Sequence, residues 1–511
     1  MKRLSAGLLI LVVWLGLSAR LEAFASVNLP LHHWAYVAIE RLVDLQVIDL
    51  AMVTPKPYSR LEAARAVARA IARIKSNQIP IDGRERIAER LLERLIEEFH
   101  EELRRISALA PSRHRHQQRR NRVGSFRFGG RLQVEGNSSW IGEGQTVRFR
   151  ANRAGEYSVN GLQAQVDVRG WVEVGNWLAL AGQPKFISNP RILGIGATAN
   201  DKQFYLRTFS LKLSLANIAL EVGRETTWWG PGYHGSLLLT DHAFPLEMIK
   251  LYSDEPFHLP WVFRVLGQWK IQSFLGPLER DRDFPRAKLF GLRISWLPSR
   301  WVELGATRLT QFDGRGRGQS FPQAIIDAYT KAPNRAGDLE VNEQAMLDIR
   351  LRLPRVPYVL PFPAGLQLYG ELGSEDKWSQ FLLPSRVAFL TGLYIPQLFK
   401  GDSLDLRIEY ADTDLARRRH PELAGVWYKN GTYVSGMRHR GFPLGHHMGT
   451  DGIDVFIRTT QFVTNNLQVG INMNWQERPR GLDGSGLAGC DMRDRMSRNL
   501  VRPPIPSLRY A

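Results

Sequence analysis

Two hydrophobic periods run through the chain, and the change from one to the other near Val123 divides it. Before that point apolar residues recur at helical spacing. Ile39, Leu42, Val43 and Leu45 follow Trp34-Ala35-Tyr36, and Ala63, Ala64, Val67, Ala68 and Ile71 follow Ser59. Residues at i, i+3 and i+4 share one face of an α-helix. Pro55 and Pro57 break the run, and Ser59 with Glu62 three residues on reads as a capping box. Residues 28–74 therefore predict two short helices around a turn. A longer amphipathic helix is expected over 82–109, with Ile87, Leu91, Leu95, Phe99, Leu103 and Ile106 in one stripe. Such a stripe either packs on its own domain or pairs with another copy, which would make a homo-oligomer. Arg-rich residues 113–122, with His114 and His116, read as a solvated basic linker.

Beyond Val123 the period is 2. Phe126, Phe128, Leu132 and Val134 alternate with polar residues, as do Leu162, Ala164, Val166, Val168, Val172 and Val174. The same alternation marks 209–215, 290–296, 347–353, 404–410 and 467–475, with Gly, Pro, Asp and Asn clusters between the runs. One face carries charges in strand after strand over roughly 350 residues, where soluble sandwiches of that length split into separate domains. An apolar outside around a water-filled polar inside is the pattern of a transmembrane β-barrel. The fold class expected is thus an all-β antiparallel transmembrane barrel of 16–18 strands with a small α-helical module in front. Trp140, Trp171, Trp177, Trp261, Trp296, Trp301, Trp378 and Trp475 stand near the ends of runs, as interfacial girdles require.

The first residues give the compartment. Basic Lys2 and Arg3, an apolar run over 8–17 and Ala23-Phe24-Ala25 form a signal peptide, with cleavage expected after Ala25. No later segment holds 18 uninterrupted apolar residues, which excludes a helical membrane protein. The boundaries expected are 1–25 signal peptide, 26–80 helical module, 81–122 amphipathic helix and linker, 123–476 barrel and 477–511 irregular tail. The net charge of +18 favours anionic partners. Export removes nucleic acid from the candidates and leaves lipopolysaccharide, peptidoglycan and acidic polysaccharide. Cys490 stands alone, so neither a disulfide nor a multi-cysteine metal site is available.

Two segments break the alternation. The first contains Arg224-Glu225, Trp228-Trp229-Gly230-Pro231-Gly232, His234 and Asp241. Successive side chains of a strand point to opposite faces, so both tryptophans cannot face lipid. An indole turned inward stacks on a sugar ring, with Arg224, Glu225 and Asp241 to bond hydroxyls; alternatively it is packing filler. The second segment holds Arg438, Arg440, His446, His447 and Asp451. Arg438, Arg440 and His446 are candidate contacts to an anionic polymer, or members of a plain surface loop. A metal site is not expected, because neighbouring histidines on a strand diverge and no carboxylate has zinc-site spacing. No Gly-x-Ser-x-Gly elbow occurs, and no cofactor or catalytic residue is predicted.

Residues 28–74, with His33-Trp34-Ala35-Tyr36, Pro57-Tyr58-Ser59-Arg60 and Glu62-Ala63-Ala64, resemble one S-layer homology motif. That resemblance implies docking on cell-wall polymer, hence peptidoglycan through residues 26–80, or else a helical plug. Trp228-Trp229-Gly230-Pro231-Gly232, Gly235-Ser236-Leu237-Leu238-Leu239 and Ala243…Pro245, with Gly441, Leu444-Gly445-His446, Gly449 and Asp451, resemble the capsule assembly (Wzi-type) outer-membrane family. The resemblance implies a large barrel of roughly 18 strands that retains capsular polysaccharide non-enzymatically at the cell surface. Family barrels finish on a strand with a terminal aromatic, whereas 477–511 lacks period 2, which predicts that the last strand or strands are missing. Three functions follow. A polysaccharide attachment protein requires a lumen blocked by the irregular stretches 223–243 and 311–345. A porin with a wall-binding module requires an open basic channel, and a glycan-modifying enzyme requires two lumen carboxylates flanking one sugar.

Overall fold

The computed structural model describes residues 25–76, 85–106, 126–139, 147–149, 151–159, 161–188, 204–316, 341–353, 362, 365–375, 387–400, 403–415, 425–463 and 467–477. Expectations for the signal peptide, the basic linker, Trp140, Trp378 and the tail after Glu477 lie outside these residues. Fifteen antiparallel strands hydrogen-bond in chain order from Phe126–Ser139 to Gln468–Glu477, and the short Phe257–His258 brings the sheet to 16. All seven alternating runs are strands, among them Gly161–Val174, Lys288–Ser299, Asn342–Leu353 and Asp405–Asp412. Among the described residues no pairing joins the first strand to the last.

Along strands from Gly161–Val174 to Ile453–Phe462, one phase of apolar residues faces outward. Val168, Leu211, Leu220, Ile249, Ile294, Ile349 and Leu368 are exposed, as lipid-facing positions of a barrel must be. The alternate residues, including Asp167, Arg169, Lys212, Glu221, Lys270, Arg293, Glu303, Arg350, Arg407 and Glu409, are buried. A water-filled interior was expected, and this is corrected: the N-terminal module occupies it. Helices Ala35–Asp44, Arg60–Lys75, Glu85–Glu98 and His100–Arg105 share one core containing Ile39, Leu42, Val67, Leu91, Leu95 and Phe99. Of the two uses open to the stripe over 82–109, its described residues take packing within their own domain. Its helix is also interrupted at Phe99, where φ −108 and ψ 22 leave the helical region.

The module's polar residues meet the wall. Arg350 bonds Asp44 at 3.0 and 3.1 Å, and Arg407 reaches Glu40 at 3.2 Å. Arg41 donates to the carbonyl of Ser403 at 2.5 Å and pairs with Asp405 at 3.3 Å. Glu303 accepts from Thr54, Lys270 holds Glu62, and Asn28 donates to Glu221 and Glu225. Ser59 caps its helix by accepting from the Glu62 amide at 3.1 Å. The reciprocal half of the capping box is replaced, because the Glu62 carboxylate bonds Lys270 2.7 Å away. Burial outweighs that ammonium and pushes the Glu62 carboxyl up to about 7.

Connections at the module's end include the short 175–177, 216–217 and 300–301, whereas 226–245, 278–287 and 425–452 lie at the other end. Short turns mark the periplasmic rim of outer-membrane barrels and long loops the outer one. Exposed Trp177 and Trp261, and the stacked pair Trp269 and Trp296, fall near the short-turn rim, where indoles suit the interface. Trp171 departs from the girdle: it faces inward, with the Arg60 guanidinium 5.4 Å from its ring.

Replacing Arg350, 1% exposed in its side chain, by Met removes the one cation that Asp44, Glu40 and Glu303 share among the described residues, leaving them Arg352 and Arg407 at 3.2–3.7 Å. Loss of one partner of a buried ion pair costs about 3–5 kcal/mol, so denaturant titration in detergent should show Arg350→Met less stable by that amount. Glu98 accepts from Arg60 and Arg131 at 3.0 Å and lies 3.4 Å from His33. Burial alone would raise its carboxyl, but these partners hold it at about 2. Its contribution is present above the ordinary 4.5 and is lost as pH falls from there through 2. Native protein should therefore exceed Glu98→Gln in hydrogen-exchange protection of helix Glu85–Glu98 at neutral pH, with the difference gone near pH 2.

Candidate functional site

After strand Ile218–Glu225 the chain turns into the barrel, and nearly every residue from 227 to 246 is buried. Trp228–Trp229 pairs antiparallel with Pro55–Lys56 of the module, so the inward loop meets the helical plug across the lumen. Gly230 at φ 132 makes the turn that follows, a conformation open to glycine. Two wall carboxylates then hold the loop. Glu371 accepts from the amides of Gly232 and Leu237 at 3.0 and 2.7 Å and from the Ser236 hydroxyl at 3.0 Å. Glu409 accepts from the amides of Tyr233, His234 and Gly235 at 2.7, 3.0 and 3.2 Å, and from the Tyr369 hydroxyl at 2.9 Å.

The loop over 425–452 closes the outer side. Trp427, Tyr428 and Tyr433 are fully buried, and Tyr428 bonds the Leu237 carbonyl and the His446 amide. The Thr240 amide and hydroxyl donate to the carbonyls of Leu444 and Gly445 at 2.8 and 2.6 Å. Arg282 clamps the Gly436 and Arg438 carbonyls at 2.9 and 3.2 Å. Glu279 meets His439 at 2.8 Å; burial opposes its charge, and the His439 contact and Arg282 still hold it at about 2.

The residues singled out in the sequence separate into groups. Trp228 and Trp229 are 7% and 2% exposed. The Trp228 indole donates to the Gly232 carbonyl at 3.1 Å, and Trp229 packs on Phe274 at 5.4 Å. Neither ring offers a free face to a sugar, so packing describes them. Glu225 bonds Lys250 and Asn28 and belongs to the wall–module lattice. Asp241 is buried against His32 at 2.7 Å. Arg438 turns to Thr450 at 3.3 Å, and His446 is fully buried. Arg224 and Arg440, from the two different segments, converge: both guanidinium groups lie over the Phe244 ring, at 5.5 and 3.9 Å. Arg224 also lies over Phe209 and pairs with Glu247 on the outer rim. Burial and the Arg224 charge both push Arg440 below its ordinary value.

The expectation that His446 and His447 diverge is overturned for a local reason. They lie in a turn and not in a strand, and their rings stack at 4.5 Å and 25°. The fold also brings His234 and Asp454 to them. Sequence reasoning missed Glu371, Glu409, Phe244 and Asp454. The two glutamates occupy the polar phase of ordinary alternating strands, like every other inward residue, and nothing in their neighbours distinguishes them.

Comparison with known proteins fits this architecture. The chain is 22% identical to Wzi of Escherichia coli, described as an outer-membrane protein involved in group 1 capsule assembly and a carbohydrate-binding β-barrel. The superposition has a TM-score of 0.62 and covers 89% of this chain and 86% of that one. An uncharacterised 55.8 kDa protein of the Klebsiella pneumoniae cps region is 30% identical over 262 residues, 51% of this chain and 48% of the relative. The chain thus spans about half the length of the curated relative it matches. The barrel lies in the outer membrane with its helical module on the periplasmic side. The model of the capsule assembly protein Wzi family matches residues 130–497, and this chain belongs to that family.

Proposed function

We propose that this protein retains capsular or related surface polysaccharide at the outer face of the outer membrane by binding, without catalysing a reaction on it. The observation that carries the reading is a lumen filled from both ends, by the helical module below and by the loops over 226–245 and 425–452 above. A porin needs a continuous polar path, and here the inward charges of the wall are engaged by protein. The enzyme reading needs two carboxylates flanking a sugar, whereas Glu371 and Glu409 are occupied by backbone amides. The polymer therefore meets the extracellular cap.

At that cap the Arg224–Phe244–Arg440 rim is the contact we favour. Two guanidinium groups over one ring repel each other, Glu247 offsets part of that repulsion, and an acidic sugar carboxylate at the rim would offset more of it. Arg438 sits nearby in sequence on the same loop. The apolar wall faces lipid, and lipopolysaccharide surrounds the outer rim. The S-layer-like segment serves as the plug in this reading, since Asn28, Glu40, Arg41, Asp44 and Glu62 all address the wall, leaving peptidoglycan docking without its polar contacts.

Purified protein in a planar bilayer should show no steady conductance, with or without the host's exopolysaccharide, while binding that polymer. A steady open channel would instead make the porin reading correct. Arg224→Ala combined with Arg440→Ala should weaken polymer binding about tenfold, or 1.4 kcal/mol, with heat-modifiability on gels unchanged. Unaltered binding in the folded double variant would remove the rim from the site. Trp228→Ala with Trp229→Ala should act through stability, since truncating a buried tryptophan costs about 3–5 kcal/mol.

A further inference from the structure

The inward loop, the extracellular loop and the wall each bring one metal-ligating side chain to the same place. His234 Nε2 lies 3.6 Å from Asp454 Oδ2, and His447 Nε2 lies 3.7 Å from that oxygen. All three ligand atoms fall within 4.8 Å of one another. These separations are too long for hydrogen bonds. Zinc binds imidazole nitrogen at about 2.0–2.1 Å and carboxylate oxygen at about 2.0–2.2 Å, so tetrahedral donors lie roughly 3.4 Å apart. A shift of a few tenths of an ångström would bring the carboxylate into line with each imidazole. We propose that His234, His447 and Asp454 form a site for one divalent transition-metal ion of the zinc class, which fastens the inward loop and the extracellular loop to the barrel wall.

The surroundings prepare these groups for a cation. The His234 ring stacks on Phe456 at 4.0 Å and 4°, and its backbone amide is fixed by Glu409 at 3.0 Å. Its Nε2 is buried and makes no hydrogen bond. His447 Nε2 faces the Gln476 amide at 2.9 Å, on an exposed strand end from which that side chain can swing aside. His446 plays a supporting part. Its Nδ1 accepts from the Met448 amide at 3.3 Å, which places the ring proton on Nε2, 3.8 Å from Asp454. Asn474 donates to the other carboxylate oxygen at 2.5 Å. Such outer partners orient metal ligands. Three protein ligands leave a fourth position for water. Gly235 is required beside this cluster, because a Cβ there would lie 2.1 Å from His446 Cδ2.

The test uses untagged, full-length protein in detergent, stripped with chelator and titrated with Zn2+ alone by calorimetry and with Co2+ by visible absorption. One equivalent of Zn2+ should bind, and Co2+ should give the intense d–d bands of tetrahedral coordination. His447→Ala and Asp454→Asn should each weaken Zn2+ binding at least 100-fold, beyond the roughly 10- to 100-fold expected for an outer partner such as His446. His114→Ala with His116→Ala, histidines of the basic linker, should leave it unchanged. Heat-modifiability on gels identifies variants that retain the folded barrel, and His234→Ala stands in for either that does not. No saturable one-equivalent binding by the native protein overturns the proposal. So does binding that survives in the folded cluster variants or disappears with His114 and His116.

Discussion

A charged side chain on the inward face of a barrel wall must find either water or a partner, and in this protein it finds the N-terminal module. Arg350, Arg407, Glu303 and Lys270 point into the lumen at positions that a porin would hydrate. Here Asp44, Glu40, Thr54 and Glu62 answer them across sequence separations of some 200 to 370 residues. Such pairs add little net stability over apolar packing, but breaking one strands the other. The lattice therefore specifies where the module sits more than it strengthens the fold. Placement of the module in turn makes the pore a filled cylinder, and the choice between passage and attachment follows from that.

The outer half of the lumen uses a different device. Its filler is the chain's own loop, which carries backbone N–H groups with no sheet or helix to satisfy them. An unpaired buried amide is costly, and Glu371 and Glu409 together accept five such groups. Glycine at 230 and 235 permits the turn and the close approach to His446. The Gly-rich, aromatic character of the block thus reflects the geometry of an inward fold, and its two tryptophans serve that geometry. In the proposed function the polymer contact falls to the outer rim, where Arg224 and Arg440 lie over Phe244.

The periodic elements were legible in the sequence. Alternation located the strands, helical spacing located Ala35–Asp44 and Arg60–Lys75, and Ser59 marked the start of the second. These signals are local: period 2 or 3.6 is set by backbone geometry and by which face meets water or lipid. The two segments that broke the pattern proved to be the two that fold over and into the lumen, because irregular backbone belongs where side-chain partners replace a ladder.

Partnership between distant segments was not legible. Period 2 states that Glu371, Glu409 and Arg350 face inward, yet it is silent on what lies opposite. Alternation predicts a polar lumen equally for a wet pore and for a filled one. The metal reading of His446 and His447 was set aside because neighbours on a strand would diverge, and nothing in the sequence associated them with His234 or Asp454. The barrel's curvature and the inward turn after Glu225 bring these four together. Hydrophobic pattern determined the class of fold, since each residue's choice of face is a local decision. Whether the lumen conducts, which aromatic rings are exposed and which charges meet were decided by the tertiary structure, because those properties depend on contacts between residues hundreds of positions apart.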